Sequence, residues 1–171
     1  MYESTIQNGS GLRQETMPDR SSSPAGASVD IITETPGWRR LVPSPDRLAR
    51  RAAAAASRVA GQPVHVTVTL ADDRAIRRLN SDHRGRAKPT NVLSFPVAHG
   101  MGDVVLALET VRREARAEGK RAADHLAHLV AHGTLHLLGH DHLAAGEARR
   151  MERAESRAMA ALRRPNPWKR A

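Results

Sequence analysis

The chain has 171 residues, room for one compact domain with a segment left over. Apolar residues make up 40 % of it, but only one Phe, one Tyr and two Trp occur, so the core is built from Ala, Val, Leu, Ile and Met. The absence of Cys excludes disulfides and thiolate metal sites, which leaves His and carboxylates as the candidate ligands for a transition metal. Net charge is +9, carried mostly by Arg, since Lys occurs only at Lys88, Lys120 and Lys169. An excess of this sign suits a polyanionic partner, although an Arg- and Ala-rich composition also follows from a G+C-rich genome. No run approaches the roughly 18 apolar residues that span a bilayer, and no basic segment precedes a hydrophobic stretch at the start, so a cytoplasmic protein is expected.

Residues 1–27 are polar, rich in Ser and Gly and without periodicity, which predicts a disordered extension before a single domain over 28–164. Val29–Thr33 is the first predicted strand. Ser44-Pro45-Asp46 reads as a helix start, with a capping hydroxyl, Pro at the first helical position and an acid in the first turn; the helix runs to Gly61. Val64–Leu70 alternates strictly, placing Val64, Val66, Val68 and Leu70 on one face of a half-buried strand. A short helix follows with Ile76 and Leu79 inward. Asn91–Phe95 is a strand closed by Pro96, and Asp103–Leu108 another. Helices are predicted over Thr110–Glu118, Ala122–Leu138 and Glu147–Leu162, and the tail 165–171 is expected to fray. This order suggests an α+β fold, a four-stranded sheet with about five helices packed against it.

Six of the nine histidines fall between His125 and His142. His132 and His136 are four apart, so a helix stacks them about 6 Å apart along its axis, on one face. Two imidazoles so placed converge on one ion at about 2.0–2.1 Å each, as zinc requires. A third ligand ten residues on needs the helix to break, because it would otherwise lie about 15 Å up the axis. Gly139 permits a left-handed turn that brings His142 back. Three His with an open position describe a catalytic rather than a structural metal site. His128 continues the stripe one turn earlier and is expected behind the ligands or packed in the core. Asp141 is expected to orient a ligand imidazole or to serve as a turn residue. His125 reads as a surface or interface residue, and His140 as a neighbour able to exchange with His142. Zinc peptidases place a Glu directly after the first His; here that position is Gly133, so their proton acceptor is missing.

The run His132-Gly133-Thr134-Leu135-His136-Leu137-Leu138-Gly139-His140-Asp141-His142 resembles the zinc motif of the YbeY family of bacterial endoribonucleases. Leu79–Gly85 followed by Lys88-Pro89-Thr90-Asn91-Val92-Leu93-Ser94-Phe95-Pro96 resembles the family's second signature, and Gly102-Asp103-Val104-Val105 a third. The resemblance covers roughly Val64–Leu162. It departs at Ala87 and Asn91, where the family commonly has Asp, and in residues 1–27. It implies a small mixed sheet with the metal helix packed on it, one Zn²⁺ per chain, single-stranded RNA as substrate, and work on the 3′ end of 16S rRNA and in ribosome quality control with the small ribosomal subunit as partner. Arg84 matches the family's essential arginine; its planar fork suits the scissile phosphate, and Lys88 is a second phosphate contact. The attacking group is a metal-activated water or the ribose 2′-hydroxyl. A non-catalytic ribosome-assembly factor with a structural metal is the rival reading, a metallopeptidase the weaker one.

Overall fold

Alternation along one strand decides which face of the sheet is buried deepest. In this computed structural model, residues 26–84, 90–142 and 144–169 are described, without the side chains of His83 and Arg84. Strand β2 (Val64–Ala71) turns Val64, Val66, Val68 and Leu70 into the core and leaves His65 exposed, as the alternation predicts. The sheet runs β1-β2-β4-β3. β1 (Ala27–Thr33) and β4 (Met101–Ala107) lie parallel to β2, and β3 (Val92–Ala98) pairs antiparallel with β4 at the edge.

Helices α1 (Gly37–Leu41), α2 (Pro45–Ala60), α3 (Asp73–Arg84), α4 (Leu108–Ala117), α5 (Ala122–Leu137) and α6 (Ala145–Ala161) complete the described residues. One face of the sheet meets α2 and α5, with α6 packed on those two helices, and Val66, Val104 and Leu106 share this core with Ala52, Val130 and Met151. Ile76 of α3 closes the other face over Leu93, Val105 and Ala107. Among the described residues no helix is long and apolar enough to cross a membrane.

The α+β class and the mixed four-stranded sheet match the sequence reading; four local features differ. The short α1 was not expected: it seats Trp38 in the core, with Nε1 donating to the Ala71 carbonyl at 2.9 Å. Ser44 precedes α2 but its hydroxyl caps nothing, because its backbone is left-handed at φ 48°. β3 continues through Pro96 to Ala98, with a register shift after Pro96; an edge strand tolerates the missing N–H. Of the expected extension, residues 1–25 lie outside the described residues, while Ala27 already begins β1.

Helix α5 has a sheet on one side and helices on the others, so it is buried along most of its length. It approaches the sheet at Gly133. A Cβ there would lie 2.7 Å from Val104 Cγ1 and 3.0 Å from Ser94 Oγ. Val is stiff at χ1, so it yields poorly. Gly133→Ala is expected to lower stability by about 1–3 kcal/mol through overpacking, read as a lower urea midpoint at unchanged slope. An unchanged midpoint would mean that the helix and sheet separate freely here.

Candidate metal centre

His132 and His136 project from the same face of α5, with their Nε2 atoms 3.2 Å apart. The helix ends at Leu137, and Gly139 at φ 85° turns the chain back while its N–H donates to the His136 carbonyl at 3.0 Å. The return brings the His142 ring to 5.0 Å from His136 and 5.8 Å from His132, centroid to centroid. One nitrogen of each ring then lies within 4.8 Å of the other two, an arrangement able to hold a metal ion. His132 and His136 are half-buried and His142 exposed, so the cluster opens to solvent. Burial lowers the pKa of His136, and the nearby His132 and His142 lower it further against the opposing pull of Asp141. The shift favours the neutral imidazole, the form that coordinates. Three imidazoles with no thiolate fit zinc or another borderline divalent metal.

Behind the cluster stands a residue that the sequence reading did not single out. Glu155 of α6 is 1 % exposed, and its Oε1 lies 2.5 Å from Nδ1 of His132. Its Oε2 lies 3.1 Å from Nε2 of His128 and accepts from the Trp168 indole at 2.8 Å. A proton on Nδ1 of His132 leaves Nε2 of that ring free to face its neighbours in the cluster. Burial alone would push the Glu155 carboxyl up; hydrogen bonds from His128 and His132, then their charges, outweigh it and hold the pKa at about 2. The available signal was a carboxylate between Met151 and Ala158 on the apolar face of α6, since a buried acid needs partners.

The family model for endoribonuclease YbeY matches residues 45–163, the span that carries all three histidines and Glu155. The chain belongs to the YbeY endoribonuclease family. Similar curated relatives are the endoribonuclease YbeY of Gluconobacter oxydans, 47 % identical over 84 % of this chain and 89 % of the relative, and that of Azorhizobium caulinodans, 45 % identical over 82 % and 95 %. The solution structure of TM1509 from Thermotoga maritima matches with a TM-score of 0.55 at 26 % identity, covering 83 % of this chain and 99 % of that one.

The remaining candidates of this YbeY-family chain divide. His128 stands behind the cluster through Glu155. Asp141 accepts the His142 backbone N–H at 2.7 Å while its carboxylate lies 4.0 Å from the ring Nδ1, so the contact made is that of a turn residue. His140 is not part of the cluster. His125 is a correction: it is buried at 5 % exposure, with Nε2 at 2.8 Å from Glu114 and Nδ1 without a partner among the described residues, because this face of α5 packs on α4. Arg84 closes α3, and its side chain, like Ala87 and Lys88, lies outside the described residues. Asn91 donates to Glu114 at 2.9 Å; Asp here would set a second carboxylate against it. Of the tail expected to fray, residues 165–169 are described, with Trp168 fastened to Glu155 and Lys120 reaching the Pro167 carbonyl, while 170–171 lie outside the described residues.

Glu155 also predicts a pH dependence. Its folded pKa is depressed from 4.5 to about 2, so its contribution to stability is complete above 4.5 and is lost as pH falls toward 2. Glu155→Gln is expected to flatten that part of the acid-unfolding curve and to weaken zinc binding about 10- to 100-fold. Unaltered zinc affinity in a folded variant would remove Glu155 from the site.

Proposed function

We propose that this chain is a single-strand-specific, zinc-dependent endoribonuclease of the cytoplasm, acting in 3′-end maturation of 16S rRNA and in ribosome quality control on the small ribosomal subunit. The observation that carries the reading is the convergence of His132, His136 and His142 in a chain of the endoribonuclease family. Bound there, Zn²⁺ would supply Lewis acidity toward a phosphodiester and activate water near neutral pH. Glu155 keeps the His132 proton on Nδ1 and so fixes which ring nitrogen faces the ion. Arg84 grips the scissile phosphate through its planar fork and offsets charge in the transition state, with Lys88 as a second phosphate contact. A net charge of +9 draws the polyanion in.

The packing at Gly133 speaks against the peptidase alternative, because a side chain beside His132 would run into Val104 and Ser94. No carboxylate occupies the position from which a zinc peptidase takes its base.

Zinc-loaded protein is expected to cut single-stranded RNA, while His136→Ala loses both zinc and cleavage. Arg84→Ala should keep its zinc and fall about 10²- to 10³-fold in kcat. Identical purification of all three controls for contaminating ribonucleases. A 2′,3′-cyclic phosphate on the product identifies the ribose hydroxyl as nucleophile, and a 5′-phosphate identifies water. Retained rRNA binding with no cleavage by any sample would leave the assembly-factor reading in its place.

A further inference from the structure

A cleft of about 1020 Å³ opens beside His128, one turn of α5 before His132, between the α4–α5 connection and the end of the chain. Trp168, His128, Asn166, Lys120, Arg121 and Lys169 are among the residues that line it. The chain has two tryptophans; Trp38 is fully buried, while Trp168 is 51 % exposed. Trp168 therefore presents a large aromatic face to the cleft and to solvent.

Trp168 is nonetheless held firmly. Its indole N–H donates to the buried Glu155, its ring stands edge-to-face on His128 at 5.7 Å, and its backbone N–H donates to Asn166 Oδ1 at 2.9 Å. Asn166 Oδ1 in turn accepts from Ser156 of α6 at 3.1 Å. The cleft's surroundings are cationic, since Lys120, Arg121, Arg164 and Lys169 outnumber Glu118 and Asp124. Glu118 pairs with Lys120, and Asp124 with Arg121 and Arg164, so the cations remain in net excess after pairing. No ion pair engages the Lys169 side chain among the described residues. The rings from the histidine cluster to Trp168 form an unbroken series, His136 to His132 at 4.7 Å, His132 to His128 at 6.3 Å and His128 to Trp168 at 5.7 Å.

We propose that Trp168 is a base-stacking platform for single-stranded RNA: one nucleotide flanking the scissile bond seats its base on the indole, and its neighbouring phosphates meet Lys169, Lys120 and Arg121. The assignment of RNA as the ligand rests on the function proposed above. A preorganised aromatic face beside cations is the usual means of holding single strands without reading their sequence. Trp168 is on this view a substrate-binding residue, distinct from the histidines that hold the metal.

The test uses the full zinc-loaded chain, mixed rapidly with a single-stranded RNA of about eight nucleotides, within the usual site sizes of single-strand-binding folds. Stacking quenches indole emission before cleavage proceeds, and only Trp168 is accessible, so the quench is expected in the parent and absent in Trp168→Phe. By anisotropy at matched zinc loading, Trp168→Ala should weaken binding about tenfold and Trp168→Phe much less. Replacing the bases by abasic sites should weaken the parent equally and leave Trp168→Ala unaffected. If Trp168 served only to hold Glu155, Phe and Ala would behave alike and abasic RNA would bind the parent as tightly as intact RNA. Either result, or the absence of a quench, overturns the platform. Cleavage without a quench removes the platform alone, and a quench without cleavage removes the nuclease reading alone.

Discussion

A carboxylate sealed from water must find partners or lose its charge, and in this fold Glu155 finds them on α5 and on the end of the chain. His132 meets one oxygen; His128 and Trp168 share the other. Burial works against the ionised form, so the ion persists because these N–H groups replace the water it has lost. The same contacts join α6 and the C-terminal segment to one face of α5. A single buried charge thus orients one imidazole of the histidine cluster and seats the tail, and loss of any one donor leaves the others facing an under-satisfied acid.

Helix α5 carries two demands at once. It is the most enclosed helix, with the sheet, α2, α4 and α6 around it, yet it must hold imidazoles at 128, 132 and 136. Keeping these on one stripe resolves the conflict, since Leu126, Val130 and Leu135 then remain for the core. Gly133 allows the close approach to β3 and β4 that fixes the stripe's height over the sheet. The chemistry available next to His132 is consequently limited by packing: where a backbone nearly touches a neighbouring strand, no acid can be carried.

What was legible in the sequence was what is encoded locally. The alternation in Val64–Leu70 gave the buried face of β2, and the spacing of His132 and His136 with Gly139 and His142 gave a cluster that a single turn assembles. Glu155 was harder to read, because its partners lie 23 and 27 residues away and only its place on the apolar face of α6 marks it. His125 misled for the same reason, as Glu114 reaches it only once α4 has packed on α5. Ser44 and Pro96 show the converse, local signals overridden by a left-handed backbone and by an edge position. The roles proposed for Arg84 and Lys88 rest on the motif around them.

The tail illustrates how a short irregular segment gains order without a core of its own. Residues 165–169 form neither helix nor strand, and their place at the chain's end predicts fraying. One indole changes this, because its N–H finds an acceptor that is already ionised and dehydrated, where a hydrogen bond is stronger than in water. The anchor engages the nitrogen edge of the ring and leaves about half of the side chain open. Had Trp168 served only to bury apolar surface, the cleft beside it would be expected to close over the ring. Anchoring by the edge instead presents a rigid aromatic surface next to cations, within a few ring contacts of the histidine cluster.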